Sequence, residues 1–412
     1  MKRFTVIAGG LVMVALGSAD RFCVAEPKPA AVSRPQGRVE FINTSFENAS
    51  PLNWEIDAEG VIQLSLIYDH ERCSPNRAAG HWHFQIQAAK GSDLTLVLSN
   101  FDNVWNGKSG SPVSDRTIAY ISADGKNWRA IPTKKLAGNR LQLQVHMDGD
   151  NLFVARLEPY RISDLEKLKK RIRSSRLVDI TPIGRTVEGR ELEIIRIGNP
   201  EAPHRVLLRA RAHPWEPGGN WVLEGLIQRL LAEKADTARY LNRYCVYVMP
   251  MANKDGVARG LTRFNMQGKD LNRNWDLPAD RRYAPENAAL ESWIEDMIGQ
   301  GKRPELMIDF HNDESGQLHV NRPAGDLKAY LAHMQRLEQL LRKHTWFTVG
   351  STGSNVRNPG TIGEGLLERY GITACVLEFN ANWIAGLKDY PSAKNWELFG
   401  AGLCEVFYQY FE

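Results

Sequence analysis

The sequence places a histidine and a glutamate three residues apart, in His213-Pro214-Trp215-Glu216, after the apolar run of residues 205–212 and before a helical pattern over residues 221–231. At a strand-to-helix turn, two such side chains can reach one point from the same side. Imidazole and carboxylate are zinc donors, and a catalytic zinc takes three protein ligands, often two His and one Glu, leaving the fourth position to water. A second histidine must then come from elsewhere. His311 fits, because it follows the buried-strand pattern of residues 306–310, and in open α/β sheets sites form at the carboxyl ends of strands. His213, Glu216 and His311 are therefore the expected ligands of one zinc ion per chain. An isolated pair of this spacing is a weak signal, so the weight rests on what surrounds it.

The elements that must position these groups follow from length and patterning. A chain of 412 residues exceeds one ordinary core and implies two domains. The formal net charge of +4 is too small over this length to indicate a nucleic-acid or anionic-membrane partner. Lys2 and Arg3 precede the apolar run Phe4 to Leu16 and the small residues Gly17, Ser18 and Ala19. That reads as a secretory signal peptide over residues 1–25, cleaved after Ala19 or Ala25, and predicts a secreted or periplasmic protein. The run is short for a membrane span, and the residues before Cys23 do not resemble a lipid-attachment site, so no membrane association is expected after cleavage. Cys73, Cys245, Cys375 and Cys404 are too scattered to form a disulfide framework, and Cys245 and Cys375 read as small buried hydrophobes.

A Pro/Ala-rich linker over residues 26–37 leads into a region, residues 38–160, of short alternating stretches at 61–67, 81–86, 94–98, 117–121 and 141–145, with turns such as Asp124-Gly125 between them. Period two with turns of this kind predicts a smaller antiparallel β-sandwich. Its His81 and His83 read as a solvent-facing pair, and Trp54, Trp82, Trp105 and Trp128 as core. A helix over residues 163–172 opens the second region, residues 161–412, where strands ending near His213, Met249, His311 and Leu377 alternate with helices. Such alternation predicts an α/β fold, a mixed, mainly parallel sheet wrapped by helices.

Downstream of the first ligands lie Asn253-Lys-Asp-Gly256, Arg263 and the stretch Gly268-Lys-Asp-Leu-Asn-Arg-Asn-Trp-Asp276. Taken in this order with the His/Glu pair and His311, these motifs resemble the zinc carboxypeptidase family of carboxypeptidases A and B. The closest likeness is to its cytosolic carboxypeptidase branch, whose members also carry an N-terminal β-sandwich ending in a segment like Glu158-Pro-Tyr-Arg-Ile-Ser-Asp-Leu165. The resemblance implies that Asn272 and Arg273 bind a terminal carboxylate, for which a guanidinium beside an amide is chemically apt. It implies that Arg263 stabilises the oxyanion, with Arg259 a competitor disfavoured by spacing, and that Glu378, after the strand pattern 374–377, is the general acid/base.

Two positions depart from the family pattern. Residues 354–359 hold no tyrosine where carboxypeptidase A-type enzymes carry a mobile one, and Gly363 stands in Gly360-Thr-Ile-Gly363 where glutamate-trimming relatives have an arginine. Loss of that cation argues against selectivity for acidic termini, and Glu364 beside it would favour a basic one. The expected function is a zinc metallocarboxypeptidase acting on the C-terminus of peptides or proteins. The alternatives are an exported zinc amidohydrolase of cell-wall peptides and a non-catalytic zinc-binding recognition module.

Overall fold

Alternation builds the first part of the chain. Ile62, Leu64 and Leu66, Leu94, Leu96 and Leu98, and Leu141, Leu143 and Val145 are buried on the strands Ile62–Leu66, Asp93–Ser99 and Arg140–His146. With period two they share one sheet face. That face packs on Phe84, Ile86, Ala119, Ile121, Leu152 and Val154 of a second sheet. Each sheet has five strands, and the only parallel pair among the described strands of the two is Ile62–Leu66 with Asp93–Ser99. A smaller sheet of Asp69–His70, Arg77–Ala78, Asn103–Trp105 and Lys108–Gly110 adjoins them in sequence.

The computed structural model describes residues 39–232, 235–321, 327–352 and 360–412. The leader and linker expected over residues 1–37 and the segment 354–359 lie outside the described residues.

His81 and His83 do not face solvent. Both are buried: His81 Nε2 lies 3.1 Å from the Asn48 carbonyl, and His83 Nδ1 lies 3.2 Å from Asn48 Oδ1. Edge contacts from Phe46 and Trp128 enclose the His83 ring. Polar partners supplied by a distant loop offset the cost of burying an imidazole, and local sequence cannot show them.

A seven-stranded sheet organises the rest, in the order Val178–Arg185, Glu191–Ile197, Tyr244–Met249, His204–Ala210, Leu306–Asp313, Thr373–Asn380, Leu318–His319. The four strands 244–249, 204–210, 306–313 and 373–380 run parallel, and the outer pairings are antiparallel. Successive side chains go to opposite faces. Val206, Leu208, Ile308, Phe310, Cys375 and Leu377 meet the helices Gly218–Leu231, Lys328–His344 and Ala393–Tyr410. Leu207, Met307, Ala374 and Val376 pack with Leu290 and Ile294 of the helix Pro285–Gly299 and with Ile362 and Leu366 of the helix Ile362–Tyr370.

Two glycines set the approach of the helices Gly218–Leu231 and Ala393–Tyr410. A Cβ at Gly225 would lie 2.0 Å from the Glu397 carbonyl oxygen, and one at Gly400 would lie 1.9 Å from that of Val222. The strands ending at Phe310 and Leu377 in the sequence reading run on to Asp313 and Asn380, which places His311 and Glu378 inside strands, as register partners. Each described cysteine is free.

Candidate functional site

The turn that carries the first two ligands is held from behind. Arg211, just past the strand His204–Ala210, takes φ of 64°, a conformation costly for a residue with a Cβ. Its buried guanidinium donates from Nε to the Pro214 carbonyl at 2.8 Å and from Nη1 to Asn220 Oδ1 at 3.0 Å, closing the turn onto the following helix. The bend brings His213 and Glu216 over the sheet edge, where His311 arrives on the neighbouring strand.

Glu216 Oε1 lies 2.8 Å from His213 Nδ1, Glu216 Oε2 lies 2.7 Å from His311 Nδ1, and the two Nδ1 atoms are 3.1 Å apart. All three side chains are buried. Each imidazole turns its other nitrogen to an aspartate: His213 Nε2 to Asp270 Oδ1 at 3.1 Å, and His311 Nε2 to Asp309 Oδ2 at 2.7 Å. A carboxylate on Nε2 fixes the proton there and leaves the Nδ1 lone pair as donor. Two lone pairs and a carboxylate aimed at one dry point make sense around a cation, and this donor set is that of zinc. Burial would raise Glu216, but the charges of His213 and His311 beside it hold it down to about 2. Burial would lower His311, yet Asp309 and Glu216 keep it well above the usual histidine range.

The residues expected on the substrate side reach the same place. Glu378, opposite His311 in register, has a buried Oε2 without a hydrogen-bond partner among the described residues. Burial, then Asp313 and Glu216 nearby, push its carboxyl well above the usual range, against the pull of His311 and Arg263. Arg263 binds Asp270 Oδ2 through Nε at 2.9 Å and Nη2 at 2.8 Å. Asn272 is buried; its Nδ2 lies 3.5 Å from His311 Nε2 and its Oδ1 accepts from the Ile362 N–H at 3.0 Å. Arg273 donates to the Asn272 carbonyl at 2.7 Å. Arg259, the competitor in sequence, is turned away and pairs with Glu188.

A buried triad of metal-donor side chains, a carboxylate across the strand from it and two arginines thus gather at one place. A family model described as zinc carboxypeptidase matches residues 164–345. That region of the chain belongs to the zinc carboxypeptidase family. Among curated relatives of this family member, a Zymomonas mobilis protein described as uncharacterised is 28% identical over 276 residues, covering 66% of this chain and 68% of its own. Cytosolic carboxypeptidase 2 of Xenopus tropicalis is 28% identical over 161 residues, 36% of this chain but 17% of that protein. The fold is similar to that of a metallo-carboxypeptidase from Burkholderia cenocepacia, with TM-score 0.80 and 20% identity over 90% of this chain and 98% of that one. It is also similar to the Pseudomonas aeruginosa metallo-carboxypeptidase solved with (2-guanidinoethylmercapto)succinic acid, with TM-score 0.77 and 21% identity over 90% and 100% of the two chains.

Against that family frame, Gly363 sits in the first turn of the helix Ile362–Tyr370, where a Cβ would come within 2.6 Å of Asn321 Nδ2. Asn321 in turn donates to the Ala374 carbonyl, so any side chain at 363 must displace it. Sequence reasoning missed four neighbours of the candidate site: Asp270, Asp309, Asp313 and His319. The last two bring ligand atoms within 4.8 Å of each other and of Glu378. A signal for Asp309 was available, since Asp and His two apart on a strand share a face. Asp270 lay in plain view in the Gly268–Asp276 stretch, but nothing local says that it faces His213.

Proposed function

We propose that this protein is a zinc-dependent metallocarboxypeptidase that removes the C-terminal residue of peptides or proteins. The observation that carries the reading is the convergence of both Nδ1 atoms and both Glu216 oxygens at one buried point, with Glu378 opposite His311 in register and Arg263, Asn272 and Arg273 grouped beside them. The metal, when bound by His213, Glu216 and His311, supplies Lewis-acid chemistry that acidifies water and polarises a carbonyl. Glu378, whose Oε2 has no hydrogen-bond partner among the described residues, takes as the carboxylate a proton from the attacking water and returns it to the leaving amine. Arg263, oriented by Asp270, offers its remaining nitrogen, Nη1, to the charge that develops on the scissile carbonyl oxygen. Asn272 and Arg273 hold the terminal carboxylate by charge-assisted hydrogen bonds.

Release of the terminal residue from zinc-loaded protein, assayed on peptides with a free and an amidated C-terminus, tests the proposal. Free peptides should be cleaved and amidated ones spared. Equal hydrolysis of both would remove the carboxypeptidase reading and favour an amidohydrolase of cell-wall peptides. Export through the N-terminal leader is part of the proposal, and its check is recovery of the processed chain outside the cytoplasm.

A further inference from the structure

Both arginines of the substrate side lie on one indole, and that indole comes from the N-terminal β region. Trp105, at the end of the strand Asn103–Trp105, has the Arg263 guanidinium carbon 3.6 Å from its ring centroid and the Arg273 carbon 4.9 Å away. Two guanidiniums held this close repel each other. Burial lowers the pKa of Arg273, and the charge of Arg263 adds to that depression against the opposing charge of Asp270. The π face of an indole is negative at its centre, so it attracts both cations. Unlike a second carboxylate, it occupies none of their N–H groups, so those not already bonded to Asp270 and to the Asn272 carbonyl stay available for substrate oxygens.

The same region fastens the backbone beneath. Asp69 Oδ2 accepts the N–H groups of Arg263 at 2.7 Å and Phe264 at 2.8 Å. Thr262 Oγ1 accepts those of Gly80 at 3.0 Å and His81 at 3.2 Å, and the Gly268 carbonyl accepts from the Arg72 N–H at 2.7 Å. The segment 262–273 is thus tied to the N-terminal sheets at several points, and Trp105 touches the guanidinium groups themselves.

We propose that Trp105 is a positioning residue of the active site: it holds Arg263 and Arg273 in the posture from which they meet the scissile carbonyl and the terminal carboxylate. The N-terminal β region thereby contributes to turnover as well as to packing. This inference rests on the carboxypeptidase reading above for its kinetic consequences.

The test uses the full-length, zinc-loaded protein with Trp105→Leu and Trp105→Phe. The leucine variant should raise KM, through Arg273, and lower kcat, through Arg263, for a combined loss in kcat/KM of about tenfold to a hundredfold. The phenylalanine variant, which keeps a π face, should recover much of that loss. Simple loss of folded protein would lower kcat and leave KM alone. Fluorinated tryptophans at position 105, which drain the ring face at nearly constant shape, should lower kcat/KM stepwise. Unchanged kcat and KM in Trp105→Leu overturn the proposal, as does a kcat/KM indifferent to fluorination. A crystal structure of Trp105→Leu supplies a readout independent of turnover: Arg263 and Arg273 should leave their positions, and finding both in place overturns the proposal. If the unaltered protein releases no terminal residue from any peptide, the carboxypeptidase reading falls, and this structural comparison alone decides the role of Trp105.

Discussion

Asp270 faces His213 across 3.1 Å, and its second carboxylate oxygen holds the Arg263 guanidinium, so one buried acid orients both His213 and Arg263. The charges of Arg263 and His213 overcome the effect of burial and keep Asp270 well below the usual carboxylate range. The site is therefore a connected electrostatic unit, in which disturbing one group is felt by the others.

Asp270→Asn removes that charge with little change in shape. Zinc affinity should fall by about tenfold to a hundredfold, as for other partners that orient a metal-bound imidazole. Competition with a chromogenic chelator measures it; an unchanged affinity would show that His213 needs no such orientation.

Glu378→Gln keeps the hydrogen-bonding outline of the side chain but cannot carry a proton between water and amine. Turnover should drop by about a hundredfold to ten-thousandfold, while zinc content stays at one per chain. Near-normal turnover with full zinc would take Glu378 out of the mechanism.

Arg259, the competitor for the role of Arg263, and Arg273, the expected carboxylate binder, separate cleanly. Arg259 is largely exposed and paired with Glu188, so Arg259→Ala should change kcat/KM by no more than about twofold. Arg273→Ala should raise KM by about tenfold to a hundredfold on peptides with a free terminal carboxylate, the value of a charge-assisted hydrogen bond. Steady-state kinetics on the two variants decides the matter. The reverse ranking would reassign the carboxylate clamp.

His81 links stability to acidity. Burial lowers its pKa to about 4, from 6.5 for the free side chain, with the Asn48 carbonyl pulling the other way. Between these values the unfolded chain binds a proton that the folded chain does not, so stability is full above pH 6.5 and is lost as pH falls toward 4. The loss attributable to His81 should reach about 3 kcal/mol below pH 4. Urea unfolding of the intact protein and of His81→Gln across that range should show a shallower pH slope for the variant; identical slopes would place the acid sensitivity elsewhere.

The class of fold and the three candidate metal donors were legible along the chain, because each depends on local pattern, whereas Glu378 stood out only through the family resemblance. Alternation with period two marks sheet faces, strand-to-helix turns mark where sites gather, and the His-x-x-Glu spacing lets two donors meet from one turn. Local pattern was silent wherever a partner comes from far away. The pair His81 and His83 read as exposed because nothing near them in sequence announces Asn48, which supplies the hydrogen-bond partners of both rings. The short helices Lys254–Arg259 and Ile362–Tyr370 escaped notice because each has too few turns to display a period.

By itself, then, the order of residues determined which side chains could bind a metal and move a proton, since those capacities belong to the groups and their spacing. Only the tertiary structure decided which acids stand behind the histidines, that Asn321 fills the space beside Gly363, and that a tryptophan from the N-terminal sheets covers two arginines more than 150 residues away. The reason is physical: orientation, burial and electrostatic coupling are properties of distances in space, and packing two separate regions together creates distances that no stretch of sequence contains.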